Sequence, residues 1–292
     1  MKKLTIIFSL LFATFALFAQ SNRSINANFE VDKEGWTGHF LGIFETRDTI
    51  IDWEGRELLS SKINHEPSIT WSNLIPPLNE RGGISFSGKN YSNDRRRIST
   101  PGRSYDAGLF LFIQKEVTDL LPNTTYRVVF NMNWFYQMDP SALPITIKVG
   151  AMNQEPIVTA QHVELATNKV YEIREVLMHD SPTPIDRGEI GRNGHDFVVA
   201  GQLIPNESGL PFQQNLHNFE NAFFVDTDKK GRLFLMIGVE PTRGDVENVF
   251  LNTLRVVMTE NRSVALNTSS DNEKLNELDD EEEDDDDEQS EN

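Results

Sequence analysis

Residues 125–137 read TYRVVFNMNWFYQ. Tyr126, Val128, Phe130, Met132, Trp134 and Tyr136 alternate with Arg127, Val129, Asn131, Asn133, Phe135 and Gln137. A period of two places a strongly apolar set on one face of a β-strand and a largely polar set on the other. Comparable runs occur at 109–117, 145–152, 170–178, 196–203, 222–225, 233–239 and 249–258, separated by Gly, Pro, Asn and Asp. No stretch of similar length carries a helical stripe, and the runs are not interleaved with helices, which argues against doubly wound and barrel α/β folds. The expected fold is all-β: an antiparallel β-sandwich of the jelly-roll kind with long inserted loops. The loops at 46–79, 88–108 and 179–194 are where function is expected to sit.

Outside this region the chain changes character at both ends. Residues 1–20, MKKLTIIFSLLFATFALFAQ, place Lys2 and Lys3 before an apolar run from Leu4 to Phe18 and a small residue, Ala19. That pattern reads as a signal peptide over 1–19, too short in its apolar part to span a bilayer. The expectation is export to the periplasm or the medium, with no transmembrane segment. The 292 residues carry a formal net charge of −18, yet residues 271–292 hold 14 acids against one lysine, so all but five of those net charges sit there. Ten consecutive acids, 279–288, repel one another and offer nothing to bury, so 265–292 is expected to be a disordered acidic tail. Such a tail could gather divalent cations weakly, and it argues against nucleic acid as a partner. One jelly-roll domain is expected over 25–260, and 38% hydrophobic residues are enough for its core.

The sequence contains no cysteine, which excludes disulfides, thiolate metal sites and a cysteine nucleophile. Its six histidines, at 39, 65, 162, 179, 195 and 217, never fall at the spacing of a local zinc motif. His195-Asp196 is a loop pair with catalytic chemistry but is more simply a hydrogen-bonded turn. Gly83-Ile84-Ser85-Phe86-Ser87 lacks the final glycine of a serine elbow and reads as the start of a strand. Asp226-Thr227-Asp228-Lys229-Lys230-Gly231 imitates the opening of a calcium loop, but Lys230 and Ile237 stand where oxygen ligands are needed, so it reads as a hairpin turn. Glu155, Asp186 and Glu189 are the candidate carboxylates for glycoside hydrolysis, whose spacing only the fold can set. Arg95, Arg96 and Arg97, with Arg103, form the one basic concentration and could clamp an acidic group.

Trp36, Trp53, Trp71 and Trp134 could stack on a pyranose ring. Trp134 is in phase with Val128 and Phe130 and belongs to the core, Trp36 anchors the first strands, and Trp53 lies between Asp52 and Glu54 in a polar loop, the better platform.

Several segments carry a resemblance. Asn28-Phe29-Glu30 with Gly35-Trp36, the run ISFSGKNYSND at 84–94, LPNTTYR at 121–127, KVGAMNQEP at 148–156, Ile237-Gly238-Val239 and FLNTLRV at 250–256 resemble, in order, an uncharacterised family of secreted bacterial jelly-roll proteins. The opening and the LPNTTY run are more distantly similar to carbohydrate-binding modules of the galactose-binding-like type. The resemblance covers about 28–258 and implies a jelly roll that binds a saccharide or glycan-like ligand at loops on one rim, with Trp53, Asn90, Tyr91, Asp94 and Arg96 as ligand-binding residues. It also implies a structural calcium near Glu30 and Asn252, although sugar-binding relatives have an Asp where Asn252 stands. No other cofactor and no catalytic residue is expected. The alternatives are a polysaccharide-processing enzyme on the same fold and a structural or interaction protein of the cell envelope.

Overall fold

The computed structural model describes residues 22–46, 50–51, 57–58, 63, 65–90, 98–100, 103–105, 108–164, 170–179 and 184–261. In chain order the strands are β1 (Asn22–Asn28), β2 (Thr37–Glu45), β3 (Ile50–Ile51), β4 (Glu57–Leu58), β5 (Ser68–Asn73), β6 (Gly82–Gly88), β7 (Ile98–Thr100), β8 (Arg103–Tyr105) and β9 (Phe110–Val117). They continue as β10 (Thr125–Tyr136), β11 (Ile145–Met152), β12 (Pro156–Glu164), β13 (Val170–Met178), β14 (Phe197–Leu203), β15 (Phe212–His217), β16 (Phe223–Asp226), β17 (Leu233–Pro241) and β18 (Val246–Glu260).

Two seven-stranded sheets form the sandwich. The first runs β15-β10-β18-β6-β5, with β1 paired to the far half of β18 and β16 paired to β10; the second runs β12-β13-β2-β9-β17-β11-β14. Pairing is antiparallel, as between β11 and β17, where Ile145 faces Pro241 and Met152 faces Phe234. The all-β sandwich expected from the alternation at 125–137 is the fold that forms. Two short ribbons, β3-β4 and β7-β8, lie in the loops after β2 and β6. The compact β unit spans Asn22–Thr259, and no helix among the described residues is long and apolar enough to cross a membrane.

The alternation in β10 works as its sequence dictates. Tyr126, Val128, Phe130, Met132, Trp134 and Tyr136 all point between the sheets and are buried, Trp134 against Phe86 with ring centroids 5.6 Å apart. Each such side chain contributes about 1.5–3 kcal/mol through removal from water. Trp36 is buried as expected, edge-on to Phe29 at 6.5 Å. Phe135 points outward but is covered, with Phe250, by Leu74 of the loop between β5 and β6.

At the centre of the second sheet both faces are dry. Every residue of β11 and β17 is buried, because the loop after β13 folds across the outward face. There Phe110, Phe112, Phe197, Phe234 and Met236 form a second apolar cluster, with Ile185 of the loop packed on it. Lys148, fully buried, donates to the carbonyl oxygens of Arg187 (2.6 Å) and Glu189 (2.9 Å) and pairs with Glu240 at 2.8 Å. Arg187 approaches the other oxygen of Glu240 at 3.8 Å and donates to the carbonyl of Gly108. A buried lysine thus tethers the loop by its backbone, and one carboxylate faces both cations.

The turn at 226–231 differs from the hairpin expected of it. β16 belongs to the first sheet and β17 to the second, so the segment crosses between layers. Asp228 makes the crossing: its Oδ1 accepts from the backbone N–H groups of Lys230 and Arg232, and its Oδ2 accepts from the Arg232 guanidinium, each at 2.8 Å. Local apolar pattern cannot tell a tight hairpin from a tight crossing, because both need the same turn chemistry.

Candidate functional site

Of the rim residues expected to bind ligand, Trp53, Tyr91, Asp94 and Arg96 lie outside the described residues, as does the Arg95–Arg97 cluster. Asn90 is described and is buried, its backbone N–H donating to Asp245 at 3.1 Å.

Glu30 and Asn252 are brought together, around an arginine. Arg81 donates through Nε to Glu30 Oε1 at 3.0 Å and through Nη2 to Asn252 Oδ1, while Asn252 Nδ2 donates to the Gly82 carbonyl at 2.7 Å. A guanidinium therefore supplies the positive charge between them. A calcium ion would have to displace it and would find only one formal negative charge, so the donor set as it stands does not fit that ion. Among the described residues no cluster of three or more His, Asp or Glu side chains is arranged to hold a metal.

The outward face of the first sheet is different in kind from that of the second. The polar half of the β10 alternation places Asn131 and Asn133 there, with Asn133 opposite Asn215 and Asn131 opposite His217 of β15. On the other side of β18, Asn26 faces Arg255 and Asn28 faces Thr253. Asn26, Asn28, Asn131, Asn133, Asn215 and Arg255 line one cleft of about 470 Å³, with Glu34 at its border. That volume is in the range of about 300–1,000 Å³ common for small-ligand sites. The amides are held in place by one another: Asn133 Nδ2 donates to Asn215 Oδ1 at 2.6 Å, and Gln213 Nε2 donates to Asn133 Oδ1 at 2.9 Å. A primary amide has two N–H groups and two acceptor lone pairs, so each retains capacity toward the outside after these bonds.

Two aromatic rings stand on the same face. Phe224, whose strand partner is Arg127, is 57% exposed. Phe219 is 52% exposed, with its ring 4.8 Å from that of His217 and its carbonyl accepting from Arg127. Sequence reasoning named the polar side of β10 but not these residues together. The local signal was the repeated Asn-x-Asn at 26–28 and 131–133, which puts two amides on one side of a strand.

A second cleft, about 420 Å³, lies among Asn153, Glu155, His179, Asp228, Lys229 and Arg232. It brings Glu155 beside a second carboxylate, as a hydrolytic pair would require. Desolvation works to raise Asp228, but the Arg232 N–H, the Arg232 guanidinium and the Lys230 N–H together hold it below the ordinary carboxylate value. Such a group is unsuited to donating a proton.

His195 and Asp196 do pair, Nδ1 to Oδ1 at 2.9 Å, on the loop that covers the second sheet, with the imidazole side chain 86% exposed. Asp186 organises this loop by accepting the N–H groups of His195 and Gly188, both at 2.9 Å, and those bonds hold its carboxyl below the ordinary value. The hydrogen bond to Asp196, aided by its charge, raises His195 above 6.5. A raised imidazole stabilises the folded state below 6.5, a contribution lost as pH rises through the folded-state value; the lowered Asp186 contributes above its ordinary 3.8 and loses it as pH falls. NMR titration of His195 should therefore give a midpoint above 6.5 that drops in Asp196→Asn, and an unchanged midpoint would refute the pairing.

No protein-family model and no curated protein matches the chain. Among solved structures, the CBM22-1 xylan-binding domain from Paenibacillus barcinonensis Xyn10C is similar at 8% identity and a TM-score of 0.31, over 82% of this chain and 97% of that one. The K3 cleaved adhesin domain of Lys-gingipain from Porphyromonas gingivalis W83 is similar at 13% identity and a TM-score of 0.30, over 81% and 99%. The carbohydrate-binding module TmCBM27, described for specific mannan recognition, is similar at 9% identity and a TM-score of 0.26, over 80% and 98%. At scores this low, what this chain binds has to be argued from its own residues.

Proposed function

We propose that the chain is an exported, non-catalytic module that binds a saccharide or glycan-like ligand across the outward face of its first sheet. The observation that supports this reading is the floor of five asparagines in one cleft, with Phe219 and Phe224 exposed on the same face. Sugar hydroxyls both donate and accept, and primary amides are the side chains that answer both needs without carrying a charge that must be desolvated. Exposed aromatic faces suit the C–H faces of sugar rings.

The test is retention on immobilised polysaccharides together with a glycan array. In a binding-competent preparation, Asn131→Ala with Asn133→Ala should weaken affinity roughly ten- to hundredfold, the loss of two hydrogen-bonding groups, with little change in Tm because both side chains point out of the core. A blank array for the wild-type protein sinks the proposal.

A further inference from the structure

The loop from β1 to β2 carries the chain from one sheet to the other and walls a second recess at the lip of the sandwich. This recess, about 450 Å³, is lined by Val31, Asp32, Lys33, Glu34, Trp36 and Trp71. Trp71 lies on β5, the edge strand of the first sheet, opposite Ile84. It shares the inward phase of Ile69, yet it remains 38% exposed. Its position is fixed: Nε1 donates to the Phe29 carbonyl at 2.8 Å, and Gly82 is so closely covered that a Cβ there would stand 2.5 Å from the Glu30 carbonyl oxygen and 2.7 Å from both Cζ2 and Nε1 of the indole. Trp36, which lines the same recess, is buried, and its Nε1 meets no acceptor among the described residues. A half-exposed indole with a locked orientation presents an aromatic face that loses little entropy on binding.

Glu34 lines both this recess and the amide cleft. Its Oε1 accepts the backbone N–H of Asn28 at 2.9 Å, and its backbone oxygen accepts Lys115 Nζ at 2.7 Å, so the wall between the two is anchored from both sheets. The amide floor crosses β15, β10, β18 and β1, three strand spacings or about 14 Å, the length of roughly three pyranose units.

Building on the floor reading, we infer that the lip recess is an extension subsite for the same ligand, an oligosaccharide or polysaccharide chain, and that the unit it takes is neutral. A chain longer than the floor passes Glu34 and stacks its next unit on Trp71. Neutrality of the unit at the lip follows from its lining: Asp32 and Glu34 are acidic, and Lys33 Nζ is spent on the Ile69 carbonyl at 3.0 Å. A uronate or sulfate there would meet carboxylates instead of a cation.

Titration calorimetry with neutral cello-, xylo-, manno- and galacto-oligosaccharides of two to eight units tests this. For whichever series binds, Trp71→Ala should leave the affinity for trimers unchanged and lower that for hexamers and longer chains about three- to tenfold, the worth of one stacked ring. Gly82→Ala, whose Cβ crowds both the indole and the Glu30 carbonyl at the start of the loop wall, should reproduce that length dependence by displacing the recess without deleting the ring. Asn131→Ala with Asn133→Ala should weaken binding at every length. Equal loss at all lengths for Trp71→Ala, or none at any, overturns the extension while the floor stands. A wild-type protein that binds no member of this panel overturns the extension, and one that also binds nothing on the glycan array overturns the floor reading with it.

Discussion

Replacing Glu240 with glutamine is expected to destabilise the protein by about 3–5 kcal/mol, the usual consequence of removing one partner from a buried ion pair. Glu240 and Lys148 are 1% and 0% exposed, and Arg187 stands near the other carboxylate oxygen. Without the negative charge, two cations are left facing each other in a site closed to water. The lysine also tethers the loop through the carbonyls of Arg187 and Glu189, so the loop should loosen as well as the sheet. Urea unfolding gives the first effect, and proteolysis within 184–196 gives the second. Pairing Glu240→Leu with Lys148→Met removes the closest pair of charges and keeps apolar bulk, but leaves Arg187 without its carboxylate and the loop without its tether, so it should recover only part of the loss. If Glu240→Gln alone costs less than 1 kcal/mol, the carboxylate is not what balances the two cations.

Gly238→Ala should also be damaging, for an unrelated reason. Gly238 faces outward in the middle of β17, and the Phe110 ring is laid directly over it: a Cβ there would stand 2.0 Å from Cζ and 2.4 Å from Cε2. Those atoms belong to a ring boxed in by Phe197, edge-on at 5.2 Å, and by the Arg187 guanidinium, 5.2 Å from its centroid. The ring has nowhere to retreat, so one added methyl should cost about 1–3 kcal/mol or more. A double-mutant cycle separates this contact from any intrinsic effect of alanine in a strand. In a Phe110→Ala background Gly238→Ala should be almost harmless, giving a coupling energy of roughly 1–3 kcal/mol. Additive losses would place the strain elsewhere.

Most strands with a fully apolar side toward the core were legible in the sequence. β11 and β13 occupy the ranges expected of them, and β10 ends one residue early. Missed in the two sheets were β1, β2, β5, β12 and β15; β1, β5, β12 and β15 lie at margins and bury little, whereas β2 sits between β13 and β9 and opens on Thr37, Gly38 and His39, which break the apolar alternation. In FQQNLH only Leu216 is buried, so no apolar alternation exists to be read. The site was harder to see, because its amides come from positions 26, 28, 131, 133 and 215, and only sheet topology makes neighbours of them. Trp71 was named as a sugar-stacking candidate, but nothing local distinguished it from Trp36, which the fold buries. The calcium expected at Glu30 and Asn252 depended on what lay between them, and Arg81 arrives there from 171 positions away in sequence from Asn252.

The sealed outer surface of the second sheet gives the protein an asymmetry with an evolutionary side. β11 and β17 are buried on both sides, so few of their positions can change without cost, whereas Asn26, Asn131, Asn133 and Asn215 hang from the wet side of the other layer and support nothing beneath them. Such positions are free to drift. A lineage carrying this fold could trade one ligand for another by exchanging side chains on the wet face, while the tethered loop and its buried charges keep the scaffold unchanged.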